Sequence, residues 1–370
     1  MRINDNRWRR IDKAFFTIID NLDLDVWLSP TNRVEEQQKT IAAYRDGKVY
    51  NPTFEYEASP NLREKELAEF IEGLDRSDPI EDLYYLKAMI RLGEIEMVKS
   101  HAADVVTKYS LSSYGRPSND LLALAAKNLE TIELAETVPS LRLLDAEESA
   151  EMCRTAMADY GFDWKVTVVK EFGAKAAVDN LIKEFIIRAD VKFPENAMKT
   201  IVVHEIGTHI LRAENGYAQP LRLFGTGLPN YMLTEEGLAE YTEVQNDCFD
   251  PETHRRISAR AIATHIALEK SFWDVFTTMV KFFPPETAFD IGQRVTLGIA
   301  DTSKPGSYTK DFFYLEGLAK VTEFFEKRAA EERKLLYLGK VGMHDLPLLK
   351  DLVKEGYLSA PKHLPHFLEM

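Results

Sequence analysis

The sequence has 370 residues, of which 45% are hydrophobic, and a formal net charge of −14. This length and apolar content can bury a substantial core in one large domain or two joined ones. The negative charge disfavours nonspecific nucleic-acid binding, because no basic face is available to displace counterions.

The two cysteines, Cys153 and Cys248, are far apart and lack metal-binding spacing. They predict neither a disulfide framework nor a thiolate metal site, which favours a reducing cytoplasm. The N-terminus has no apolar signal-peptide core, and no later run approaches eighteen apolar residues. We therefore expect a cytoplasmic protein that neither carries a signal peptide nor spans a membrane.

The N-terminal part of the chain is predicted to be helical. Ser29-Pro30 and Asn51-Pro52 interrupt the pattern. Apolar residues recur at three- and four-residue intervals over 8–22, 33–45, 63–74, 80–111 with one break, and 119–135. These segments predict a helical region over residues 1–140.

Two short β-branched segments, Lys165–Val169 and Glu184–Arg188, are predicted to be strands. Residues 174–179 between them are helix-like or extended, and a helix over 196–214 follows. That helix carries His204, Glu205 and His209, residue types that bind a metal ion together, and a small sheet beside a metal-binding helix is the layout of the glutamate-zincin peptidases, whose edge strand can hold an extended peptide. We expect a mostly helical α+β fold with a catalytic core over 141–335 and a tail over 336–370 packed on that core.

The motif His204-Glu205-Ile206-Gly207-Thr208-His209 carries the chemistry. In the usual zinc-peptidase pattern the two histidines are four residues apart on a helix and face one side with a glutamate. Here they are five apart, and at roughly 100° per residue an ideal helix would place them about 140° apart. We therefore predict a π-bulge, which adds one residue to a turn. Gly207 is expected to relax the backbone there.

Acidic residues follow in the segment Thr234-Glu235-Glu236-Gly237-Leu238-Ala239-Glu240. Thr234 is placed as a helix N-cap, and Glu236 and Glu240 share one helical face. One of them can bind a metal while the other accepts a hydrogen bond from a ligand histidine. Glu235 would face about 100° away from Glu236. The alternative is an ordinary amphipathic helix with acidic residues near its N-terminus.

Two further helices are predicted, over 252–282 and over 311–335, the second with a solvated charged face. His254 and His265 have no acidic partner motif and are assigned to structure or surface. Pro365 interrupts the spacing of the histidines in the tail, so no metal site is expected there. These tail histidines are His344, His363 and His366.

The strings HEIGTHILRAENGYAQP and GLPNYMLTEEGLAEY resemble the microtubule-associated tyrosine carboxypeptidases and their bacterial relatives. The uncommon histidine spacing occurs together with the same Arg212, Asn215, Gln219 and Pro220. Further signatures lie at 30–36, 51–56 and 308–317, so the resemblance covers roughly residues 25–325. The segment between 220 and 234 is shorter than in the eukaryotic enzymes, a departure that argues against tubulin specificity.

The resemblance implies that His204, His209 and Glu236 hold one zinc ion per chain and that Glu205 is the catalytic base. This leaves Glu240 to accept the hydrogen bond from a ligand histidine. Three protein ligands leave a fourth position for water, from which Glu205 would take a proton and return it to the leaving amine. The implied activity is a carboxypeptidase that releases a C-terminal aromatic residue from a peptide or protein.

A carboxypeptidase also needs a cation for the terminal carboxylate and a donor for the developing oxyanion. We prefer Arg294 and Lys310 as cations, because glycine and proline predict loops around them. Arg212, close after His209, can instead brace the ligand helix. The full set of candidate cations is Arg212, Arg222, Arg294 and Lys310, and the candidate oxyanion donors are Tyr231, Tyr308 and Tyr314.

Two other functions stay open: a noncatalytic zinc-containing regulatory or binding protein, and an amidase acting on a small molecule. The sequence leaves the oligomeric state undetermined. Glu205 favours the peptidase, because a structural metal site has no use for a general base beside its ligand.

Overall fold

The computed structural model describes residues 4–19, 27–59, 62–133, 142–170, 176–179 and 182–369. The described residues are mostly helical with small sheets, which confirms the predicted α+β class. The chain forms two compact units. The first contains Met1–Arg9, Leu134–Pro251 and Gly317–Met370, and the second contains Arg10–Glu133 and Glu252–Glu316. No described helix is both long and apolar enough to cross a bilayer.

These units do not follow the predicted boundaries at residues 140 and 335. Residues 252–316, expected in the catalytic core, group with 10–133, whereas the tail belongs to the same unit as the histidine motif. Periodicity predicts which face of a helix is buried but not which distant segment covers it.

The second unit is helical and has a core rich in aromatic rings. Phe54 packs edge-on against Phe272 and Phe289, with ring centroids 6.3 Å apart in both pairs. The helices within or extending into this unit are Asp5–Ile19, Arg33–Arg45, Glu64–Glu72, Pro79–Ser100, Ala103–Tyr114, Asn119–Thr131, Pro251–Ala267, Phe272–Met279, Pro285–Val295, the 3₁₀ turn Thr309–Phe312, and Phe313–Lys327.

The predicted helices therefore exist within the described residues, and the break within 80–111 falls after Ser100. The predicted ends 20–22 and 134–135 lie outside the described residues. The single helix expected over 252–282 is wrong: it ends at Ala267, and Ser271 starts a new helix with a capping box to Asp274. The helix expected over 311–335 is likewise divided after Lys327.

The first unit contains the strands and the histidine motif. Strand Glu184–Arg188 pairs in parallel with Lys165–Val169 and antiparallel with Ala176–Asp179, so both strands predicted from β-branched residues are confirmed. Residues 174–179 were predicted to be helix-like or extended, and 176–179 are extended. Residues 174–175 lie outside the described residues. A two-residue ladder joins Leu143–Leu144 to Phe193–Pro194.

The remaining elements of this unit are helical. Helix Ala146–Tyr160, started by a capping box between Asp145 and Glu148, packs against both the sheet and the histidine segment. The glutamate-zincin arrangement itself stays a prediction. The other helical elements are Glu195–Ile201, Val202–Ile210, Leu211–Tyr217, Leu223–Thr226, Met232–Gln245, Ala330–Leu335, Met343–Asp345, Leu346–Lys354 and His366–Glu369.

Candidate metal centre

The two motif histidines lie on a continuous helix whose middle part is π-helical. The helix runs from Glu195 to Tyr217, and the π-helical part is Val202–Ile210. Because π-helical bonding links residues five apart, His204 and His209 come to the same side. Their ring centroids are 4.9 Å apart at an interplanar angle of 74°. The predicted distortion is confirmed, and it is longer than a single bulge.

The π-helical segment leaves space around Gly207. Its φ lies outside the left-handed region, and a Cβ there would meet only Tyr160 Oη at 3.8 Å and Thr242 Cγ2 at 3.9 Å. Both distances are ordinary van der Waals contacts. The π-helical segment therefore has room for a side chain at this position, and the expected backbone role of Gly207 stays a prediction.

Helix Met232–Gln245, here called the carboxylate helix, packs against the π-helical segment. It begins before Thr234, so Thr234 is not its N-cap. The Thr234 hydroxyl instead accepts a hydrogen bond from the Met343 backbone N–H at 3.0 Å, and the side chain is buried. This tertiary contact replaces the predicted local cap.

Glu236 lies opposite both histidines. Its Oε2 atom is 4.0 Å from His204 Nε2 and 3.9 Å from His209 Nε2. Two ligands that are each about 2.1 Å from one zinc ion cannot be more than about 4.2 Å apart, and both distances meet this condition. A Glu205 carboxylate oxygen lies within 4.8 Å of a ring nitrogen of each histidine. The donor set of two imidazoles and a carboxylate fits a zinc site, and the ligand assignment stays a prediction.

Each histidine is oriented by its own carboxylate. His204 Nδ1 donates to Glu243 Oε1 at 2.6 Å, and His209 Nδ1 donates to Glu235 Oε1 at 2.7 Å. These bonds place the proton on Nδ1 and leave Nε2 directed at Glu236, an arrangement typical of metal-binding histidines.

Glu240 was predicted to accept the hydrogen bond from a ligand histidine, and this prediction is wrong. The hydrogen bonds come from Glu243 and Glu235, while Glu240 lies within 4.8 Å of ligand atoms of His204 and Glu243. Glu243 is seven residues after Glu236, so the helical period placed it on the same face, and a longer window would have found it. Glu235 was missed because it points away from Glu236. It contacts His209 at Nδ1, whereas Glu236 faces the Nε2 atom of the same ring.

The charges around the two histidines differ. Burial favours the neutral ring of His204, but the hydrogen bond to Glu243 and the charge of Glu205 outweigh it and raise its pKa to about 10. Burial alone would raise the pKa of Glu235. Arg212 and Lys340 outweigh that effect and hold the pKa of Glu235 well below its usual range.

The described residues contain two groups of three metal-binding side chains, and both include His204. The histidines at which no metal site is expected lie elsewhere in the chain. His254 contacts Asn128 Nδ2 at 3.1 Å, and the His366 ring stacks on Tyr160 at 5.3 Å between centroids.

A family model described as microtubule-associated tyrosine carboxypeptidase matches residues 44–370. The chain belongs to this family. The match continues through the tail, beyond the limit near residue 325 expected from the signatures.

Relatives within the tyrosine carboxypeptidase family match nearly half of the chain. MATCAP2 of Mus musculus is 32% identical over 182 residues, which are 47% of this chain and 33% of that protein. Microtubule-associated tyrosine carboxypeptidase 1 is 31% identical over 172 residues in Mus musculus and 30% identical over 172 residues in Homo sapiens, covering 45% of this chain and 35% of each relative. The matched segments thus span about a third of the relatives' length.

Four of the candidate substrate-binding residues of this family member lie in the second unit. Arg294 pairs with Asp311 through Nε at 2.5 Å and Nη2 at 3.0 Å. Its guanidinium lies 6.0 Å from the centroid of the Tyr314 ring, and that of Arg260 lies 5.2 Å from it. Sequence reasoning missed Arg260, which has no motif around it.

The other candidates have varied surroundings. Tyr308 Oη lies 3.2 Å from Tyr114 Oη, and Lys310 is half-buried beside Asp311, whose pKa it helps to lower. Tyr231, in the first unit, directly precedes the carboxylate helix, and its ring lies 6.0 Å from Lys340 Nζ. Their roles in substrate binding stay predictions.

Proposed function

We propose that this chain is a zinc-dependent carboxypeptidase that releases a C-terminal aromatic residue, tyrosine above all, from a peptide or protein. The observation that carries the proposal is the position of Glu236 Oε2, within 4.0 Å of the Nε2 atoms of both His204 and His209. Family membership supports the reaction class. The preference for tyrosine comes from the names of the relatives.

His204, His209 and Glu236 would hold the zinc ion. When bound, zinc polarises a carbonyl group and makes a coordinated water more acidic. Glu205, adjacent to His204 and within reach of both rings, is suited to accept the proton of the attacking water. The water oxygen forms a bond to the amide carbon, the carbon–nitrogen bond breaks, and Glu205 returns the proton to the leaving amine.

The exposure of the three ligands supports a catalytic site over a sealed structural one. The side chains of His204, His209 and Glu236 keep 16%, 13% and 7% of their surface exposed. A structural zinc site is usually closed by four protein ligands, whereas a catalytic site keeps one position open. Partly exposed ligands allow water and substrate to reach such a position.

We also propose that the protein acts in the cytoplasm. Cys153 and Cys248 are both free thiols, as expected of a protein from a reducing compartment. Fractionation of cells that express the chain tests this, and recovery from an oxidising compartment would contradict it.

The experiment compares the full chain with Glu205→Gln on a set of peptides that end in a free carboxylate, followed by mass spectrometry. Wild type should bind zinc and release single C-terminal residues. Glu205→Gln should retain zinc and lose about 10²- to 10⁴-fold in rate, the usual contribution of a general base. Glu195→Gln, the same change in the first turn of the helix, is the matched control and should keep activity.

The outcomes separate the alternatives. A chain that holds zinc but releases no residue from any C-terminus is a noncatalytic binding protein. Hydrolysis of N-acyl amino acids without release from peptides indicates a small-molecule amidase. Wild type that binds no zinc contradicts the proposal altogether.

A further inference from the structure

The tail segment 336–341 contacts the candidate metal centre through one buried lysine. Lys340 Nζ donates to Glu235 Oε1 at 2.7 Å, and only 4% of the lysine side chain is exposed. The same oxygen accepts the hydrogen bond from His209 Nδ1, also at 2.7 Å. Lys340 thus holds the very atom that orients one of the proposed zinc ligands, although it is 105 residues from Glu235.

Arg212 completes the surroundings of Glu235. It is fully buried, and its Nη1 pairs with the other carboxylate oxygen of Glu235. Its remaining nitrogens donate to backbone carbonyls of the tail, with Nε 3.0 Å from Leu336 O and Nη2 2.5 Å from Val341 O. One guanidinium therefore connects the histidine helix, the carboxylate helix and both ends of segment 336–341.

Two further polar residues of the string HEIGTHILRAENGYAQP, Asn215 and Gln219, bind the tail as well. Asn215 Nδ2 donates to Tyr337 O at 2.7 Å, and Asn215 Oδ1 accepts from the backbone N–H of His363 at 2.9 Å. Gln219 makes two bonds to the backbone of Ser359, at 3.0 and 3.2 Å. Arg212, Asn215 and Gln219 thus dock the tail on the histidine helix.

The backbone of Lys340 is itself fixed. Its N–H donates to Phe224 O at 2.8 Å, and its carbonyl accepts from Leu228 N–H at 2.9 Å. The preceding Gly339 is packed so closely that a Cβ would lie 2.7 Å from Phe224 O. A lysine on such a fixed backbone presents its ammonium at a defined place, which is what positioning of another side chain requires.

We propose that Lys340 is a positioning residue of the metal centre, which acts through Glu235 on His209, and that the tail segment 336–341 is part of that centre. The inference rests on the proposed zinc function. The alternative is that Lys340 only neutralises the buried carboxylate of Glu235 and so stabilises the fold. Residues that orient a metal-binding histidine typically contribute about 10- to 100-fold to metal affinity.

The test measures zinc affinity by competition with a chelator, and the visible spectrum of the cobalt(II)-substituted full chain. Lys340→Met should weaken zinc binding about 10- to 100-fold and change the cobalt spectrum, because His209 is no longer held in one orientation. Lys340→Arg, which keeps a cationic donor, should restore both. Lys354→Met, the same change at an exposed lysine of the tail, is the control and should match wild type.

A double-mutant cycle gives a second measurement. If Lys340 acts through Glu235, Lys340→Met should have no further effect on zinc affinity in a Glu235→Gln background. Equal effects of Lys340→Met on zinc affinity in both backgrounds would overturn the proposal that Lys340 acts through Glu235. If Lys340→Met fails to fold, Lys340→Gln, which removes the charge and whose side chain is one atom shorter than that of lysine, replaces it throughout.

The remaining outcomes are distinguishable. Wild-type affinity and an unchanged cobalt spectrum in a destabilised Lys340→Met would overturn the inference while leaving the proposed function intact. Absence of zinc binding by wild type would overturn the proposed function itself.

Discussion

The two helices that meet at the candidate metal centre are built in different ways. The histidine helix has an unusual backbone, π-helical over Val202–Ile210, yet it leaves space around Gly207. The carboxylate helix is regular, yet a Cβ on Gly237 would lie 2.4 Å from the Gly317 backbone. The difference teaches that the distortion serves to bring two imidazoles together, whereas tight packing and buried charge fix the carboxylates around them.

Removal of a histidine tests the first helix and should have the largest effect. His204→Ala and His209→Ala should each reduce zinc from about one ion per chain to nearly none, because two remaining ligands hold the ion weakly. Elemental analysis after dialysis measures this. His265→Ala, at an exposed position of the second unit, should keep the metal. Zinc that survives loss of either motif histidine would remove the basis of the site.

The carboxylate helix is tested by the two glutamates that orient the rings. Glu235→Gln leaves Arg212 and Lys340 buried without their counter-charge and should cost about 3–5 kcal/mol of unfolding free energy. Glu243→Gln keeps an oxygen that can accept the hydrogen bond from His204 Nδ1, and no lysine or arginine among the described residues pairs with Glu243, whose Oε2 has no hydrogen-bond partner there. It should cost about 1 kcal/mol. Urea denaturation of both variants measures the unfolding free energy. Equal losses in Glu235→Gln and Glu243→Gln would show that buried cations do not set Glu235 apart from Glu243.

The glycines sharpen the comparison at the level of packing. Gly237→Ala must displace the backbone of Gly317 and should cost about 1–3 kcal/mol or more, because a backbone cannot turn aside as a flexible side chain can. Gly207→Ala should change stability by no more than about 1 kcal/mol, towards greater stability, since alanine favours a helix. Thermal denaturation measures both. Loss of zinc in Gly207→Ala would indicate that the π-helical segment depends on glycine.

Local structure near the centre was predictable to a large degree. Strands Lys165–Val169 and Glu184–Arg188 and helix Arg33–Arg45 have the bounds that hydrophobic and β-branched patterns predicted. The five-residue spacing of His204 and His209 required a distorted helix, because about 100° per residue allows no other way to align them. Such inferences hold because they concern neighbours on one element.

Interactions across elements were not predictable in the same way. The sequence placed Thr234 at a cap, and a tertiary contact to Met343 decided otherwise. The division of 252–282 is a different kind of miss, because the capping box of Ser271 and Asp274 is a local pattern that the sequence contains. Glu240 had the right spacing to serve a histidine, but the orientation of the carboxylate helix against the π-helical segment assigned that bond to Glu243. Spacing determines a direction on a helix, and packing determines what lies in that direction.

The sequence by itself determined the chemistry of the site: two imidazoles on a distorted helix, a glutamate beside them, and a second acidic segment. Tertiary structure alone decided which carboxylate serves which ring, and it brought Lys340 and Arg212 onto Glu235. The physical reason is that a buried charge needs a partner wherever the chain can supply one. The path of the tail from residue 336, which no local pattern encodes, supplied Lys340.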